Sequence, residues 1–117
     1  MKYLMFVVAD PTGEESDLDV EAWVDDLDSR GVRLHGDRLR PVEDATTVRV
    51  RNGEIIVTDG PFTDSKEWTA GYDLLECDSL DEAVAVALGH PMAQAGAIEV
   101  RELWPLDLAE TSERGSL

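Results

Sequence analysis

One cysteine, Cys77, stands among 117 residues, so no disulfide can form within the chain. Its neighbours Glu76 and Asp78 are acidic, and nothing basic adjoins it to make a reactive thiolate. Aromatic residues amount to only 6%, so the core must be built mainly from aliphatic side chains. Basic residues are scarce too: 10 Lys and Arg stand against 26 Asp and Glu, a formal net charge of −16. Phosphate neutralisation needs clustered Lys and Arg, so this balance opposes nucleic-acid binding. It opposes docking on anionic membranes for the same reason. It suits a solvated acidic shell and leaves room for a basic protein partner. Long apolar runs are missing. Met1 to Ala9 is apolar but far too short to span a bilayer. It lacks the basic region and cleavage site of a signal peptide, and a cytoplasmic location is the expectation.

Motifs for common chemistries are missing as well. The chain holds no HExxH, CxxC or EF-hand spacing, no GxGxxG, no phosphate-binding loop and no GxSxG. Two histidines, His35 and His90, without a matching carboxylate pattern do not make a metal site. No metal and no cofactor is expected.

What is present reads as one domain over 1–105 and a polar C-terminal tail over 106–117. Residues 2–8 form an apolar strand, with Tyr3, Met5 and Val7 on one face and Leu4, Phe6 and Val8 on the other. A helix is predicted over about 17–30, capped by Ser16, facing the core with Val20, Trp23, Val24 and Leu27 and ended by Gly31. Strands are predicted over 32–39, 46–51, 54–58 and 69–76. Asn52-Gly53 is a two-residue hairpin turn, and Val48 and Val50 are expected to face the core. Ser79-Leu80-Asp81-Glu82 opens a second helix with a capping-box pattern, its buried stripe expected at Leu80, Ala83, Val84, Ala87 and Leu88. Gly89 and Pro91 stop it, and a last strand runs from 97 to 104.

This order is α+β and closes most simply as a ferredoxin-like split βαβ arrangement with an added β-hairpin. Two helices cover one face of such a sheet. The apolar residues on the other face then call for a homodimer with sheets packed face to face.

The most distinctive segment is Asp59-Gly60-Pro61-Phe62-Thr63-Asp64-Ser65-Lys66-Glu67. It leaves a strand, turns sharply at Gly60-Pro61 and carries alternating charges. It resembles the DGPFAETKE signature of the DGPF branch of the YCII-related domains. Ala45 to Gly53, Ser79 to Ala83, His90-Pro91 and Gly96 to Arg101 resemble that family as well, in the same order. The resemblance implies a ferredoxin-like fold assembled as a dimeric α/β barrel. Related barrels host small-molecule lyases, isomerases and oxygenases. Members of this branch resemble proteins found beside extracytoplasmic-function sigma factors, which implies a regulatory or small-ligand-binding role. YCII-like proteins carry a His-Asp pair with its His on the first helix. Here that helix has no His, and His90 stands before Pro91 where many relatives have Asp, so the pair does not carry over.

Candidate chemistry rests on a few residues. His90, in a loop after a helix, is able to exchange protons near neutral pH. Its bland role is to stabilise helix C-terminal carbonyls. Asp59 at a strand end is a carboxylate able to orient His90 or act as a base, or simply a turn-forming Asp. Arg49, on one strand face with Arg51, is able to hold a small anionic ligand through a bidentate contact, or to pair with neighbouring acids. Lys66, Glu67 and Tyr72 are candidates to complete a polar pocket. The leading expectation is a dimeric regulatory or ligand-binding domain. The alternative is a lyase- or isomerase-like enzyme using His90 and Asp59.

Overall fold

A computed structural model describes residues 1–63 and 65–106. The tail from 107 onward lies outside the described residues. Six strands and three helices follow in the order β1 Lys2–Ala9, α1 Val20–Ser29, β2 Arg33–Arg38, β3 Thr46–Arg51, β4 Glu54–Asp59, β5 Trp68–Glu76, α2 Leu80–Leu88, α3 Met92–Ala95 and β6 Ala97–Glu102, with a 3₁₀ turn at Val42–Asp44.

Four strands form one antiparallel-paired sheet in the order β2-β5-β1-β6, and β3 and β4 pair only with each other. Strand β1 is central, with Phe6 opposite Tyr72 on one side and Glu99 on the other. Both β1 and β2 run antiparallel to β5 and hence parallel to one another, joined through α1. This is the ferredoxin-like split βαβ arrangement. The hairpin β3-β4 is inserted between β2 and β5. Asn52 (φ 53°) and Gly53 (φ 78°) make its turn, the left-handed pair that a two-residue hairpin requires.

Strand alternation fixes the layers. Tyr3, Met5 and Val7 of β1 and Leu75 of β5 are buried against Trp23 and Leu27 of α1 and Ala83 and Ala87 of α2. Burying each large aliphatic side chain contributes about 1.5–3 kcal/mol. The two alanines let α2 lie close to the sheet. Leu4, Phe6 and Val8 point to the opposite face and are only half-buried.

The helix ends differ from the sequence expectation in one respect. Asp19, not Ser16, caps α1: its carboxylate accepts the Glu21 and Ala22 N–H groups at 2.9 and 3.4 Å. Ser16 instead accepts the Leu18 N–H in a local turn. Ser79 caps α2 as expected, accepting the Glu82 N–H at 3.1 Å, while Glu82 reaches back to the Asp78 N–H. Pro91 does more than stop α2. It opens the short α3, a place where its missing N–H costs nothing.

Three packing expectations fail. Val20, expected at the core, is 41% exposed at the first position of α1. Val48 and Val50 do not face the core. They pair across the hairpin with Val57 and Ile55, and all four are 57–72% exposed. The hairpin stands off the main sheet, so alternation along it sorts its faces without burying either. On α2, only Ala83 and Ala87 of the expected stripe are buried, and Leu80, Val84 and Leu88 are exposed. These three lie at i, i+4 and i+8 along one flank, beside the line of contact rather than on it.

Candidate functional site

Two polar residues are buried among the described residues, Asp73 and His90, at 5% and 6% exposure. They come from different elements and line one cavity of about 590 Å3. Asp73 stands on the inward face of β5, between Gly71 and Leu75. His90 is delivered by the sharp passage from α2 into α3. Trp23 on α1 lines the same cavity and packs against His90.

Asp73 is held by Arg33. The guanidinium Nε donates to Asp73 Oδ1 at 2.7 Å, Nη1 donates to Asp28 at 3.1 Å and Nη2 to the Gly36 carbonyl at 3.0 Å. All three guanidinium nitrogens are committed. Asp73 Oδ2 has no hydrogen bond among the described residues. No fully buried side-chain oxygen or nitrogen there lacks a partner, so Oδ2 keeps access to the cavity. Burial pushes the Asp73 carboxyl above the usual carboxylate range, although Arg33 opposes this. Desolvation of the charged form outweighs the ion pair.

His90 is set in the opposite sense. Its Nδ1 accepts the Met92 N–H at 3.0 Å, which leaves the proton of the neutral ring on Nε2. Burial lowers its pKa. Trp23 packs edge-on to the imidazole at 4.9 Å between centroids and donates its own Nε1–H to the Val86 carbonyl at 2.9 Å. Gly89 makes room for this contact, since a Cβ there would come within 3.1 Å of the indole. The site thus pairs a carboxylate that resists ionisation with a neutral imidazole presenting an N–H donor. One cause, burial, acts on both groups by disfavouring their charged forms.

Glycines clear the floor. A Cβ on Gly36 would lie 2.2 Å from Asp73 Oδ1, and one on Gly71 would lie 2.9 Å from the Asp37 carbonyl oxygen. Val7, Val20, Val24 and Met92 supply apolar wall, and Arg33, Asp37 and Arg38 of β2 bring charge to one side.

The remaining candidates fall elsewhere. Asp59 ends β4 opposite Thr46 and is exposed. Among the described residues, none of the three main cavities is lined by both it and His90. Arg49 donates to the Phe62 carbonyl at 3.0 Å, bracing the Gly60-Pro61-Phe62 turn. Thr47 Oγ1 donates to the Gly60 carbonyl at 2.8 Å beside it. Glu67 lines a second cavity of about 640 Å3 under this turn, together with Phe62 and Trp68. Lys66 is exposed. Tyr72 contributes to the Asp73 cavity, but its ring stacks obliquely on His35, 5.6 Å away. The second cavity is the larger one, but the buried groups able to move protons line the first. Among the described residues no three of His, Cys, Asp and Glu gather into a metal-holding group. No helix there is long and apolar enough to cross a membrane.

Sequence reasoning passed over Asp73 and Arg33. The available signal was the position of Asp73: a charged residue on the strand face otherwise occupied by Gly71 and Leu75.

Three comparisons bear on identity. A solved 5-chloro-2-hydroxyhydroquinone dehydrochlorinase from Burkholderia phenoliruptrix AC1100, in complex with 2,5-dihydroxybenzoquinone, aligns over 89% of this chain and 94% of its own. Its identity is 16% and its TM-score 0.40, a likeness too weak to transfer chemistry. An uncharacterised protein of Rhizobium meliloti (strain 1021) is 46% identical over 68 residues. That match spans 56% of this chain and 55% of the relative's length. The family model for the YCII-related domain matches residues 1–107, and the chain belongs to the YCII-related domain family.

Proposed function

We propose that this protein binds a small oxygen-bearing molecule in the Asp73–His90 cavity and moves a proton on it, as a lyase or isomerase does. The observation that supports this is the convergence of the two buried polar residues on one cavity. In this reading Asp73 Oδ2 takes the proton. The His90 Nε2–H donates to the oxygen on which negative charge develops. A neutral imidazole suits that role, because it stabilises an oxyanion without first losing its own proton. Arg33 positions the carboxylate, and the apolar walls strengthen both contacts by excluding water. Asp73 replaces Asp59 as the partner of His90 in this proposal because it shares the cavity with the imidazole.

The test is C–H exchange. A panel of small carbonyl and hydroxy-aromatic compounds is incubated with the protein in D₂O and followed by proton NMR. At least one compound should exchange a C–H adjacent to oxygenated carbon, and Asp73→Asn should abolish this. Exchange that persists undiminished in Asp73→Asn refutes the assignment. Binding without exchange of any compound favours the second reading.

That second reading is a regulatory, binding-only domain, linked to a sigma-factor system as the DGPF branch suggests. The acidic charge of −16 supports a basic protein partner, which should dissociate at high salt. Both readings include a homodimer. It is supported by the exposed aliphatic face of the hairpin and the half-buried outer face of the sheet. A monomeric mass at micromolar concentration counts against it.

A further inference from the structure

We infer that Arg38 selects the ligand, and that the cavity takes a small monocarboxylate with a one-ring apolar body, its carboxylate on Arg38 and its far oxygen between Asp73 and His90. This rests on the cavity reading above and adds the ligand class. The anion-binding role expected of Arg49 has no place there, because Arg49 is turned to the Phe62 carbonyl.

Two arginines from β2 line this cavity. Arg33 is already engaged through all three nitrogens, by Asp73, Asp28 and the Gly36 carbonyl, and is the less available of the two. Arg38 is different. It is exposed and makes no ion pair among the described residues. Register places it opposite Gly71, while Gly36 stands opposite Asp73. Strand alternation therefore sends the Arg38 side chain to the same face as the Asp73 carboxylate. Gly71 has no side chain to obstruct it. Asp37 also lines the cavity, but strand alternation turns its side chain to the other face, where its carboxylate lies 3.4 Å from His35.

The cavity of about 590 Å3 and the backbone spacing guide the size of the ligand. Two residues along the strand separate the Arg38 and Gly36 backbones, about 7 Å at the usual rise. A six-membered ring with polar groups at opposite ends bridges such a gap. The intervening walls, Trp23, Val7 and Val24, offer it apolar surface. A guanidinium at the mouth binds a carboxylate bidentately. A dianion is disfavoured, because its second charge would meet the Asp73 carboxylate.

The probes are 4-hydroxybenzoate and its uncharged analogue 4-hydroxybenzamide. Binding is followed through the Trp23 indole N–H resonance and quantified by calorimetry. The carboxylate should bind about tenfold more tightly than the amide. Arg38→Gln should erase that preference, and Arg38→Lys should restore part of it. Asp73→Asn should weaken both probes and leave the preference. Equal binding of the two probes overturns the inference. So does a preference that survives Arg38→Gln, or a Trp23 signal that neither probe moves at about 10 mM, a concentration reaching millimolar affinities. If no compound exchanges protons but the carboxylate preference holds, the catalytic reading alone fails.

Discussion

Replacing Arg33 by Met is the sharpest probe of how the site is held. The variant keeps an unbranched side chain of similar reach and removes the bonds to Asp73, Asp28 and Gly36. The Asp28 carboxylate is about half exposed, and its contact is worth about 1 kcal/mol or less. The main effect falls on Asp73, whose side chain is 8% exposed. Left ionised and unpaired, a buried charge costs about 3–5 kcal/mol. The chain avoids part of this by protonating Asp73. From an ordinary pKa near 3.9, protonation at pH 7 costs about 4 kcal/mol, and at pH 5 about 1.5 kcal/mol. The loss is therefore bounded at about 4 kcal/mol at pH 7 and shrinks towards pH 5. The sign follows from linkage. The folded-state pKa of Asp73 is already raised, and removing Arg33 raises it further. The folded state then binds more protons than the unfolded one, so stability falls as pH rises between the unfolded and folded pKa values. The assay is urea unfolding followed by tryptophan fluorescence at pH 5, 6 and 7 and fixed protein concentration, above the pI of about 4.2. Adding Asp73→Asn to the variant should recover most of the loss at pH 7. A loss under about 1 kcal/mol, or one independent of pH, refutes the account of Arg33 as the partner that keeps Asp73 charged.

Three further outcomes follow from the geometry. Gly36→Ala places a Cβ 2.2 Å from Asp73 Oδ1 and 2.7 Å from Arg33 Nη2; it should destabilise by about 1–3 kcal/mol and weaken ligand binding, read by urea unfolding and calorimetry. Asp19→Ala removes the cap of α1 and should cost about 1 kcal/mol, while Ser16→Ala should cost much less, both measured by chemical unfolding. Val57→Lys on the exposed hairpin face should leave circular dichroism unchanged and, on the proposed homodimer, shift the sedimentation mass from dimer to monomer.

Much of the fold was legible because its signals are local. The Tyr3-Met5-Val7 alternation, the Asn52-Gly53 turn and the Ser79 cap each determine structure within a few residues. The cap of α1 was misread because Ser16 and Asp19 are both good caps, and only the packing of Trp23 and Leu27 decides which turn comes first. Burial on α2 and the hairpin was misread because apolar character does not say which face a neighbour covers. The candidate site was the least legible part. His90 stood out by residue type, but its relation to Asp73 depends on the tertiary fold bringing β5 and the α2–α3 passage to one cavity. Arg33 reaches Asp73 across 40 residues of sequence, and no local pattern encodes such a pair.

The central place of β1 has a consequence for how the chain matures. Both of its hydrogen-bonding neighbours, β5 and β6, lie late in the sequence. On a ribosome adding about 5–20 residues per second, roughly 60 residues separate β1 from the start of β5. The apolar segment Tyr3 to Val8 therefore emerges several seconds before either edge has a partner. During that interval it is the part of the nascent chain most open to chaperone capture or mispairing. Changes that slow synthesis between Asp10 and Glu67 should lower the yield of native protein more than changes of equal stability cost near the C-terminus.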